Sequence, residues 1–70
     1  AEDMTPYTAD MLHRKFGFCY IGMTAFATDY GLDMEKAYTF AQMRQIVREK
    51  GHKPSLRNYK RELKQINIIQ

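Results

Sequence analysis

Leu12, Phe16, Cys19, Met23, Phe26 and Tyr30 follow one another at steps of four, three, four, three and four residues, the period of one side of an α-helix. Phe18, Ile21 and Ala25 fall off that stripe and add apolar surface on other sides, so the segment reads as a central helix. The expected helix runs from about residue 6 to residue 30. Thr5-Pro6 can open it, the threonine capping orphan amides and the proline filling the first helical position, and Thr8 before Ala9-Asp10 is a second candidate cap. Gly17 and Gly22 each weaken a helix by about 1 kcal/mol relative to alanine. Their spacing lets another backbone come close, although simple tolerance explains them as well. Cys19, on the apolar stripe, reads as a small core residue.

A strand competes with the helix between Phe16 and Ile21, because the run is rich in aromatics. Arg14-Lys-Phe-Gly-Phe-Cys-Tyr-Ile21 resembles the aromatic strand motif of RNA-recognition-motif domains. In that family a basic residue precedes aromatics that stack on bases, so the resemblance implies a nucleic-acid surface. The chain departs from the pattern: the strand and helix that precede the motif in that family have no room here, and Lys15 displaces the basic position. The helix is the expected reading.

Tyr30-Gly31-Leu32-Asp33 is a break, with a glycine to close one helix and an aspartate to cap the next. The second helix is expected over about 34–50, burying Met34, Ala37, Tyr38, Phe40, Ala41 and Val47 and ending at Gly51. Pro54-Ser55 then restarts helix over about 55–66, where Leu56, Tyr59, Leu63 and Ile66 form the side that buries. The reading is an all-α, compact three-helix domain spanning 1–70, with 1–4 frayed. An apolar fraction of 44% and a charged fraction of 27% suit a folded chain, and 70 residues leave room for one small core.

Charge is divided unevenly. Residues 1–36 carry six acidic and three basic side chains, a net −3, whereas 37–70 carry two acidic and eight basic, a net +6. In the third helix Arg57, Lys60, Arg61 and Lys64 repeat the helical period away from the apolar side. Together with Arg48, Lys50 and Lys53 they are the candidate contacts for an acidic protein or for nucleic acid.

Met43-Arg-Gln-Ile-Val-Arg-Glu-Lys-Gly-His-Lys-Pro-Ser-Leu-Arg-Asn-Tyr-Lys-Arg-Glu-Leu63 resembles the first helix and the start of the helix-turn-helix in LexA-type winged-helix repressors. Gly51, Pro54-Ser55-Leu56-Arg57, Tyr59 and Leu63 carry the likeness. It implies helix-turn-helix geometry and, in that family, a following recognition helix in the DNA major groove. Seven residues follow Leu63, so the recognition helix and the wing are absent from this sequence.

No catalytic constellation emerges. His13 and His52 fall on different elements, no spacing suits a metal, and the glycines form no phosphate-cradling loop, so the expectation is a non-enzyme with no cofactor. A single cysteine, no signal segment and no run of about 20 apolar residues point to a cytoplasmic protein that does not span a membrane. Two functions fit. The first is a helical interaction or regulatory module that binds another protein through an apolar groove or the basic C-terminal helix. The second is phosphate binding to nucleic acid through segment 48–64. The aromatic and methionine content also allows a homo-oligomer.

Overall fold

Thr8 supplies the first helix start: its hydroxyl accepts the Met11 amide at 3.2 Å, and α1 runs over Ala9–Phe16. A computed structural model gives the fold, described here for residues 2–51 and 58–68. Gly17 ends α1 in the left-handed region at φ 72°, a conformation glycine adopts without steric cost, and its amide reaches back to the His13 carbonyl at 3.0 Å. The expected continuous helix over 6–30 is therefore two helices, because α2 begins afresh and covers Tyr20–Tyr30. His13 fixes the turn between them. Its Nδ1 lies 2.7 Å from the Phe18 carbonyl oxygen, which can only accept, so Nδ1 carries the proton.

That turn overturns two further expectations and removes the competing strand reading. Phe18 points inward and is 4% exposed, whereas Cys19, placed on the buried stripe by sequence, is exposed at the N-cap of α2. The strand reading of Phe16–Ile21 fails as well, since those residues are a helix end, a turn and a helix start, and Phe16 packs at 5.3 Å from the Tyr7 ring. Finally, α2 is not enclosed on all sides, with Ile21 74% exposed.

Gly31 closes α2 at φ 70°, and Leu32 donates back to the Ala27 carbonyl at 2.9 Å. Helix α3 then covers Phe40–Lys50 rather than starting at Met34. Asp33 caps only a local turn, accepting the Glu35 amide at 2.9 Å, and Tyr38 is drawn into an antiparallel bridge with Tyr7 whose two backbone bonds are each 2.9 Å. The helix start falls at Thr39. Its hydroxyl accepts the Gln42 amide at 3.0 Å while the Gln42 side chain accepts the Thr39 amide at 2.9 Å, a reciprocal cap.

Helix α4 covers Lys60–Gln65. The expected start at residue 55 lies outside the described residues, but Asn58 and Tyr59 form a turn, not helix. Tyr59 is held off the helical path by the packing of its ring against Phe26 and by its hydroxyl, which donates to Asp29 at 2.7 Å. At the other end Asn67 takes φ 71°, and Ile68 donates to the Leu63 carbonyl at 2.9 Å, so an asparagine serves where glycine is usual.

The described residues thus form an all-α fold with four α-helices and a short 3₁₀ turn at Glu2–Met4. Tyr30, Val47, Tyr59, Leu63 and Ile66 are each 1% exposed and come from α2, α3 and the α4 region, so a single core joins them. Burying a side chain of this size contributes about 1.5–3 kcal/mol. Arg44 on α3 closes the structure, pairing with the Asp3 carboxylate through its two terminal guanidinium nitrogens and donating to the Ile66 carbonyl at 3.1 Å.

Candidate interaction surface

Helix α4 is amphipathic in the way its sequence requires. Tyr59, Leu63 and Ile66 turn into the core, and Lys60, Arg61 and Lys64 are exposed on the opposite side. The helix is brought close to α2 by a missing side chain. A Cβ on Gly22 would overlap the Glu62 carboxyl and stand 2.9 Å from the Asn58 carbonyl oxygen, so only glycine permits this approach. Cys19, three residues earlier at the N-cap of α2, shares a surface cavity of about 450 Å³ with Asn58, Lys60, Arg61, Glu62 and Lys64. A neighbouring cavity of about 370 Å³ reaches from Arg61 and Lys64 to Phe16, Phe18 and Asn67.

Arg14 pairs with Asp10 at 3.0 Å and Arg44 with Asp3, whereas among the described residues Lys60, Arg61 and Lys64, like Arg48, form no ion pair within 4.0 Å. The acid beside them is Glu62, 5% exposed. Burial pushes its pKa up, opposed more weakly by the Arg61 charge and by a hydrogen bond from its own amide.

Not every sequence candidate joins this group. Arg48 lies beside Arg44, Val47, Asn67 and Ile68 in a separate cavity of about 220 Å³, and the Lys50 ammonium sits against Gly31 at the end of α2. Lys53 and Arg57 lie outside the described residues. Tyr59 is a core residue, not an exposed ring, and burial followed by its bond to Asp29 pushes the phenol's pKa well above its ordinary value.

The outer side of α2 was not among the sequence candidates. With about 100° of rotation per residue, Ile21, Thr24 and Thr28 share one side, and all three are exposed. On one flank lie Gly22 and Asp29, which meet the α4 segment through Glu62 and Tyr59. On the other lies Tyr20, whose ring stacks on His13 at 4.5 Å and whose hydroxyl donates to Asp10 at 3.1 Å. From Tyr20 to Thr28 the helix carries no charged residue. The available signal was that α2 is apolar on several sides, which a central helix would explain equally well.

Among the described residues no group of three histidine, cysteine or acidic side chains is arranged to hold a metal ion, and no helix is long and apolar enough to cross a membrane. Compared with protein-family models, with curated proteins and with solved structures, the chain has no match.

Proposed function

We propose that this chain is a small non-enzymatic interaction module that binds another protein through the outer side of α2. The observation that carries the reading is Ile21. It is 74% exposed on a helix with no charged residue from Tyr20 to Thr28, in a chain of which 27% is charged. A helix whose apolar residues are not confined to its core side has surface left to bury, and a partner is the ordinary way to bury it. The ordered setting of Tyr20, held by His13 and Asp10, favours a preformed docking surface over one that must be assembled on binding.

A second reading has its own support in the three α4 cations, which form no ion pair among the described residues. Lys60, Arg61 and Lys64, with Arg48, Lys50, Lys53 and Arg57 as sequence candidates, would neutralise phosphates of a nucleic acid, in keeping with the resemblance of residues 43–63 to a helix-turn-helix start. The two readings separate in a capture experiment run at low and high salt with and without nuclease, using the native chain and Ile21→Asp. Protein binding predicts a complex that resists nuclease, survives salt and is lost in Ile21→Asp. Nucleic-acid binding predicts loss on nuclease treatment and indifference to residue 21.

A further inference from the structure

Cys19 is exposed at the N-cap of α2, and its side chain makes no capping hydrogen bond, so the sulfur is open to a reagent from outside the chain. The cavity beside it, lined by Asn58, Lys60, Arg61, Glu62 and Lys64, has a volume of about 450 Å³. Small-molecule sites span about 300–1,000 Å³, so the size suits a compact ligand. Arg61 also reaches the α1–α2 turn, its Nη2 standing 3.8 Å from where a Cβ on Gly17 would lie. One group in the cavity has the opposite sign. Glu62 is 5% exposed, and among the described residues its carboxyl receives a hydrogen bond from its own amide alone and forms no ion pair. A buried carboxylate with acceptor capacity to spare, on the wall of a cavity, can take a donor that the chain itself does not supply.

We infer that Cys19 forms a mixed disulfide with a zwitterionic low-molecular-mass thiol, whose carboxylates lie along Lys60, Arg61 and Lys64 and whose ammonium meets Glu62. This goes beyond the protein-binding reading and does not depend on it. The step is thiol–disulfide exchange. The Cys19 thiolate attacks one sulfur of the small molecule's disulfide, a new S–S bond forms as the old one breaks, and the departing half leaves as a thiolate that takes up a proton. The Cys19 sulfur is oxidised and the departing sulfur reduced, so the disulfide is itself the oxidant. Each lining group selects part of this occupant. The sulfur calls for a sulfur partner, and the cations gather an anionic reagent at it. Glu62 calls for an ammonium on the same molecule, because a wholly anionic ligand would leave the buried carboxylate without a counter-charge. A second copy of the chain suits the site poorly, since a Cys19–Cys19 bond would set two groups of Lys60, Arg61 and Lys64 against each other.

The test incubates the reduced full chain at low salt with three small disulfides and follows adducts by intact-mass spectrometry, with Cys19→Ser as background. The probes are oxidised glutathione, its doubly N-acetylated form, which keeps the carboxylates but lacks the ammonium groups, and cystamine, which is cationic. The glutathione adduct is expected to form about tenfold more slowly in the double variant Lys60→Glu/Lys64→Glu than in the native chain, while the cystamine adduct forms faster. Both substituted side chains are exposed, so circular dichroism of the variant should match the native chain. N-acetylation is expected to slow the native chain several-fold and to leave Glu62→Gln, which has no carboxylate to offer, unaffected. A charge reversal that changes the glutathione and cystamine rates alike would overturn the role of the cations. Equal native rates with and without N-acetylation would overturn the ammonium contact. A disulfide-linked dimer as the main product, or no adduct at Cys19, would overturn the inference as a whole.

Discussion

Glu62 rests its carboxyl on the bare backbone of Gly22, and this contact sets how closely α4 lies on α2. Alanine at position 22 would have to displace the carboxylate and the Asn58 carbonyl. Overpacking of this kind costs about 1–3 kcal/mol, against about 1 kcal/mol of helix propensity regained. Gly22→Ala is therefore expected to lower unfolding stability by about 1 kcal/mol in urea, and a more stable variant would mean that the two helices do not approach as described. Adding Glu62→Ala should recover only part of the loss, because the Asn58 oxygen stays in place.

Glu62 itself gives a pH dependence. Its pKa is raised by burial, so the folded state holds the proton more tightly than the unfolded one. The group's favourable contribution is full below the ordinary glutamate range and is lost as pH rises through the raised folded value. Glu62→Gln keeps the shape without the charge and should gain on the order of 1 kcal/mol at neutral pH, with no gain at pH 3. Melting curves of the two proteins across this range would show the difference opening as pH rises. A constant offset would assign the effect to packing instead.

Asp3 titrates with the opposite sign. The hydrogen bonds from Arg44 hold its carboxyl below the usual range, so its contribution is present above about pH 4 and disappears as pH falls through the lowered value. Asp3→Asn should be less stable than the native chain at neutral pH and should match it in strong acid. Equal melting temperatures at neutral pH would show that the pair contributes nothing measurable.

Two buried tyrosines should respond differently to loss of their hydroxyls. Among the described residues the Tyr7 hydroxyl is buried without a hydrogen-bond partner, whereas that of Tyr59 donates to Asp29. Tyr7→Phe is expected to be neutral or mildly stabilising, and Tyr59→Phe to cost about 1 kcal/mol. Chemical denaturation of the two single variants side by side tests the contrast, and a reversed order would contradict the bonding of both residues.

The helical character of the chain was legible where pattern and position agree. Tyr59, Leu63 and Ile66 lie inside and Lys60, Arg61 and Lys64 outside, as their spacing requires, and Gly31 and Gly51 end helices as expected. Gly17 was harder, because a glycine can either sit within a helix at a cost of about 1 kcal/mol or end it in the left-handed conformation, and the residue type is the same in both cases. The outcome was decided by Phe18 turning into the core and by the His13 bond across the turn. The start of α3 shows a second limit. Thr39 and Gln42 spell a capping pair, but Asp33 is also a good cap, and the choice between them rests on the long-range bridge of Tyr38 to Tyr7, which no local pattern contains. For the interaction surface, the α4 cations could be read from sequence. The separation of Arg48 and Lys50 from them, and the openness of Ile21, depend on how the helices are arranged around one another.

Arg44 grips the turn at Asp3 with one edge of its guanidinium and the last turn of α4 at Ile66 through the same group. One side chain thus clasps the opening and closing segments of the fold. Fraying at either extremity releases an anchor of the other, so the two should loosen together, and amide exchange near Met4 and near Asn67 should report one shared opening.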